Sequence, residues 1–145
     1  MSKTTSFLSK EDEQEIVEAI RLAESKTSGE IRVHIENSSE IAHFDRAKIV
    51  FSELNMDQTE LKNGVLIYLA VADKQFVICG DKGINELVGN DFWESTKNIM
   101  ATHFKSGNFK QGFVDGIQKA GEQLQKHFPW IEGDTDELSN EISRG

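Results

Sequence analysis

The run Val65–Ala72, VLIYLAVA, constrains this chain more than any other stretch. Its β-branched, aliphatic and aromatic residues favour a strand, and it has none of the polar alternation of a strand with one wet face. Such a strand belongs at the centre of a sheet, covered on both sides. Asp73-Lys74 comes next as a turn, and Gln75–Cys79 reads as a second strand, so Lys62–Asn85 predicts an antiparallel hairpin. Asn63-Gly64 leads into the hairpin and Gly80-Asp81-Lys82-Gly83 leaves it. Antiparallel pairing sets those two ends side by side, which places Asn63 and Asp81 at one edge of the sheet.

The flanking sequence supplies the cover. Met1 to Leu8 is polar and loose, with Phe7 and Leu8 able to act as a hydrophobic latch before the first helix. Ser9 suits an N-cap, Glu11, Asp12 and Glu13 suit a first helical turn, and Ile16, Ala19, Ile20 and Ala23 recur on one face, predicting a helix over Lys10–Lys26. Glu30–Glu36, EIRVHIE, alternates as a strand with one wetter face. A second helix, with Ile41, Phe44, Ala47, Val50, Phe51 and Leu54, ends near Asn55. Strand, helix and buried strand make a βαβ unit with its two strands parallel. The starts of both strands and the end of the hairpin then fall level, so Glu30, Asn63 and Asp81 are expected to cluster.

Beyond the hairpin, Ile84–Gly89 reads as a turn or helical stub. Asn90 or Asp91 caps a third helix that Ser106-Gly107 stops, and a fourth helix runs from Asn108 to the only proline, Pro129. The domain is therefore expected to span residues 9–130, between a loose segment 1–8 and an acidic, solvated tail 131–145.

A chain of 145 residues suffices for one domain with a core of its own. A net charge of −9 repels phosphate backbones at long range and argues against a nucleic-acid partner. Cys79 is the single cysteine, which excludes an intrachain disulfide and fits an inert buried thiol. No stretch approaches the roughly 18 apolar residues of a membrane span, and the N-terminal residues carry no secretory pattern, so the expectation is a soluble cytoplasmic monomer. An unidentified protein partner stays open.

For chemistry, neither Gly-rich segment matches a nucleotide-binding loop. The glycines read either as backbone positions, Gly64 at a strand start and Gly80 and Gly83 in a turn with positive φ, or as close approaches that offer carbonyl oxygens to a hard cation. Calcium and magnesium take carboxylate, amide and carbonyl oxygens, which Glu30, Asn63 and Asp81 offer, with Asp91 able to join them. The four histidines, His34, His43, His103 and His127, are scattered, and zinc has no ligand spacing. No nucleophilic triad can be assembled. Paired carboxylates holding a metal-activated water keep phosphomonoester hydrolysis open, with Lys82 as an anion contact. In a third reading the acids are turn and cap residues, and the domain binds a protein without metal.

The segments Ser28–Val33, Asn63–Tyr68, Val77–Ile84 and Phe104–Phe109 with Gly112, in that order and spacing, resemble the TPM domain, a family named from thylakoid-lumen, photosystem-repair and receptor-auxiliary proteins. The resemblance covers about Phe7 to Trp130. It implies an α/β fold, a three-layer α/β/α sandwich with a small central mixed β-sheet, in agreement with the order of elements above. It also implies divalent-cation binding, calcium before magnesium, near the strand ends, and the acid phosphatase activity associated with plant members. Carried onto this sequence, metal contact falls to Glu30, Asn63 and Asp81.

Overall fold

A computed structural model describes residues 8–89, 91–130 and 140–145. The expectations for residues 1–7, the cap at Asn90 and most of the tail, 131–139, lie outside these. Helix α1, Lys10–Glu24, begins where Ser9 Oγ accepts the Asp12 N–H at 3.0 Å, with Glu11, Asp12 and Glu13 in the first turn against the helix dipole. Strand β1, Glu30–Glu36, leads to helix α2, His43–Glu53, and a 3-10 turn, Met56–Gln58. The hairpin is β2, Gly64–Ala70, and β3, Gln75–Gly80. Three helices come next: α3, Lys82–Asn85, α4, Glu94–Lys105, and α5, Phe109–His127. A two-residue strand, β4, Ser143–Arg144, is last.

The sheet order is β3-β2-β1-β4, with β2 antiparallel to β3 and β1 parallel to both β2 and β4. Alternate side chains of the inner strands divide the core in two. Ile31, Val33, Ile35, Val65, Ile67 and Leu69 meet Ile16, Ile20, Met100, Phe113, Ile117 and Leu124 from α1, α4 and α5. Leu66, Tyr68, Ala70 and Cys79 meet Ala47, Val50, Phe51 and Met56 from α2 and the 3-10 turn. These are the three layers of an α/β/α sandwich around a mixed sheet, and every residue of β2 is buried. Leu8 joins the larger core, as a latch would.

Several boundaries differ from expectation for physical reasons. β2 ends at Ala70, which pairs with Gln75, and residues 71–74 form the turn, closed by the Lys74 N–H on the Val71 carbonyl at 3.3 Å with Lys74 left-handed at φ 55°. Helix α4 starts at Glu94, past the expected cap. Gln123 Nε2 donates to the Phe92 carbonyl and Trp93 is buried, which anchors that stretch as a turn. Where a solvated tail was expected, Ser143 and Arg144 instead extend the sheet beside His34 and Ile35. Among the described residues no helix is long and apolar enough to cross a membrane.

Because both faces of β2 are covered, truncation on either face carries the full cost of a core cavity. Leu66→Ala and Ile67→Ala should each destabilise by about 2–5 kcal/mol, checked by denaturant unfolding. A sheet with one wet face would show that loss at only one of the two.

Candidate functional site

Two ends of the sheet carry buried ionisable groups. At the first end, the register of β1 and β2 sets Glu30 opposite Gly64, and that of β2 and β3 sets Val65 opposite Gly80. Backbone hydrogen bonds join the three segments: Glu30 N–H to the Asn63 carbonyl at 3.3 Å, Asp81 N–H to the Gly64 carbonyl at 2.9 Å, and Gly83 N–H to the Lys62 carbonyl at 2.7 Å. Glu30, Asn63 and Asp81 are thus brought to one sheet end, at 3%, 1% and 8% exposure. Asp91 is not part of this frame; it is exposed in the turn before α4, where its carbonyl accepts the Glu94 N–H at 3.1 Å. Lys82, the first residue of α3, is exposed.

Asp81 divides its carboxylate between two roles. Oδ1 accepts the Lys82 N–H at 2.7 Å and caps α3, while Oδ2 is buried and accepts no hydrogen bond from the described residues. Thr59 Oγ1, in the loop leading to Asn63, is likewise buried without a hydrogen bond. Unmatched buried acceptors are costly, which makes each a point where a cation or a donor would be favourable. Among the described residues, no three His, Cys, Asp or Glu side chains gather into a metal-holding group. A cation here would therefore need oxygens beyond carboxylates, of the kind the Asn63 amide and main-chain carbonyls supply.

The glycines of this end do not use positive φ; among the described residues the only such glycine is Gly107. The left-handed residue is Lys62, at φ 53°. Gly83 is required by close approach: a Cβ there would stand 2.4 and 2.5 Å from the carbonyl oxygens of Leu61 and Lys62. Those carbonyls crowd the 80–83 segment, and the Lys62 carbonyl is the one that accepts the Gly83 N–H.

The opposite end holds a cluster that sequence reasoning missed. The polar side of β1, expected to be wetter, is largely buried, with His34 and Glu36 each 4% exposed. Glu36 accepts two hydrogen bonds from Arg46, Nε to Oε2 at 3.0 Å and Nη2 to Oε1 at 2.9 Å, and a further one from the Tyr68 hydroxyl. His34 Nε2 lies 3.0 Å from Glu36 Oε1 and its Nδ1 lies 2.9 Å from Ser143 Oγ. A carboxylate only accepts, so His34 carries its proton on Nε2, and the Ser143 hydroxyl donates to Nδ1. Burial pushes Glu36 up, but the bonds from Arg46, Tyr68 and His34 outweigh it and hold the carboxyl at about 2. Burial also raises Tyr68, reinforced by Glu36, and lowers His34, against the opposing pull of Glu36. The available signal was Tyr68 inside an otherwise aliphatic run, since a phenol buried there needs a polar partner.

The folded-state values of Glu36 and His34 are both depressed, so these two groups stabilise the fold above their unfolded values and lose that contribution as acid is added. Stability should fall as pH drops below about 6.5 through His34, and again between 4.5 and about 2 through Glu36. Glu36→Gln should cost about 3 kcal/mol near neutrality, and that difference from the unmodified chain should shrink by pH 3 in denaturant titrations. A difference constant with pH would mean that Glu36 is not held ionised by this cluster.

Known proteins share this architecture. The chain is 62% identical to the BA42 protein of the psychrophilic bacterium Bizionia argentinensis, solved by NMR, with a TM-score of 0.92 over 96% of both chains. The N-terminal domain of a P. gingivalis protein shares the fold at 17% identity, TM-score 0.68, over 84% of this chain and 79% of that one. The N-terminal domain of the cg2496 protein from Corynebacterium glutamicum does so at 12% identity, TM-score 0.65, over 93% and 79%. No curated protein matches the chain significantly. Residues 1–123 match the family described as the TPM domain, nearly all of the sandwich derived above, and the chain belongs to that family.

Proposed function

We propose that this TPM domain is a divalent-cation-binding module, calcium being the preferred ion, acting as a regulatory or binding unit through the sheet end at Glu30, Asn63 and Asp81. The observation that carries the reading is Asp81 Oδ2, a buried carboxylate oxygen that accepts no hydrogen bond from the described residues, on a segment tied by backbone bonds to Lys62 and Gly64 on either side of Asn63. A cation would satisfy that oxygen while Oδ1 continues to cap α3. The Asn63 side chain supports the same role, since its only hydrogen bond with a described residue is a long one, Nδ2 to Ser28 Oγ at 3.5 Å.

A second reading, metal-assisted hydrolysis of a phosphomonoester at the same place, draws support from Arg32. This residue is half-buried on the same side of β1 as Glu30, two positions on, and its Nε finds no acceptor among the described residues. A guanidinium with a spare donor suits a phosphate oxygen.

Amide NMR titration of metal-stripped protein with calcium, and separately with magnesium, tests the first reading. Saturable shifts are expected at Gly29–Glu30, Lys62–Gly64 and Gly80–Gly83, with calcium binding the tighter. Asp81→Asn keeps an oxygen for the α3 cap and removes the charge, so it should weaken calcium at least ~10-fold with little loss of fold stability. An unlocalised response at millimolar calcium would end both readings. Turnover of p-nitrophenyl phosphate that needs the metal and falls with Arg32→Ala would select the second.

A further inference from the structure

An edge strand offers unpaired N–H and C=O groups to any extended chain that can reach it, and proteins cover such edges. The outer edge of β1 is covered in two ways. Near its start, the Ile31 N–H donates to a Glu24 carboxylate oxygen at 2.8 Å. Further along, His34 and Ile35 pair with Ser143 and Arg144 in parallel, and the Ile35 carbonyl accepts the Gly145 N–H at 3.0 Å.

Each of these three covering residues meets a different demand. Ser143 donates its hydroxyl proton to His34 Nδ1 at 2.9 Å. Arg144 forms an ion pair with Glu13 on α1. Gly145 lies so close to the buried cluster that a Cβ there would stand 2.5 Å from Glu36 Oε1 and 2.9 Å from His34 Nε2. A hydroxyl, a cation and an absent side chain are thus selected at successive positions, on top of main-chain pairing that any sequence provides. Strand-addition sites work by that division, with the ladder supplying affinity and the side-chain positions supplying choice. The residues doing this lie beyond 1–123, the part matched by the TPM family.

We propose that the outer edge of β1 from Val33 to Glu36 is a recognition slot for an extended Ser-Arg-Gly segment of a partner protein, and that residues 143–145 are an internal copy of that ligand which masks the slot. A two-residue strand contributes little ladder energy, so the mask is displaceable. Its attachment to the domain gives it a high effective concentration, and a partner binds at full strength only once the internal copy is weakened or outcompeted.

The test uses the full chain carrying Gly145→Val, which evicts the internal copy, and a hexapeptide with the sequence of residues 140–145. The peptide should give saturable amide shifts at Val33–Glu36 and Glu13 in this variant, and the unmodified chain should need on the order of 10–100-fold more of it. A peptide with valine in place of its final glycine should be silent. In the unmodified chain, excess peptide should also speed hydrogen exchange of the Gly145 N–H, a readout that does not depend on how the variant folds. The proposal is overturned by equal responses to the two peptides, by no shifts at millimolar peptide, or by unchanged Gly145 exchange. A doubled sedimentation mass of the unmodified chain, arising from exchanged 140–145 segments, would overturn it in favour of a second copy as occupant.

Discussion

The parallel pairing of β1 with β2, in the register that sets Glu30 against Gly64 and Glu36 against Ala70, is the constraint on which the rest depends. A one-residue slip would turn Leu66, Tyr68 and Ala70 toward the larger core and Val65, Ile67 and Leu69 toward α2, exchanging two sets of side chains of different size. It would also separate Tyr68 from Glu36, and the Asn63 carbonyl from the Glu30 N–H. The same register therefore fixes both polar ends of the sheet and divides the apolar interior into two cores.

The legible part of the fold came from the periodicity of those strands. A run with no polar alternation must be covered on both faces, and β2 is. A strand–helix–strand order imposes parallel pairing, and the strand starts fall level. Glu30, Asn63 and Asp81 were found at one end by that geometry alone, whereas Asp91 was not, because its placement rested on where a helix begins. That boundary was set by tertiary contacts, the Gln123 bond to the Phe92 carbonyl and the burial of Trp93, which no local signal encodes.

The polar side of β1 misled for a related reason. In EIRVHIE, alternation distinguishes two faces but does not say that the polar one is wet. Glu36 is buried because Arg46, ten residues on, and Tyr68, thirty-two residues on, bring donors to it. The docking of Ser143–Gly145 onto β1 is equally non-local: a short acidic stretch of low apolar content carries no sign that Ser143 will meet His34 more than a hundred residues away.

The two ends also differ in what they can still accept. Glu36 takes hydrogen bonds on both oxygens from Arg46, Tyr68 and His34, so a metal there would have to displace a bidentate guanidinium. Its carboxyl near 2 reflects a negative charge already neutralised by its surroundings. Asp81 spends one oxygen on the Lys82 N–H and keeps the other buried and unmatched among the described residues. A fully satisfied buried network makes a structure rigid, while a partly satisfied one is open to a ligand that completes it. Of these two buried carboxylates, the one with fewer partners is therefore the better seat for a cation, because binding there completes a coordination shell instead of dismantling one.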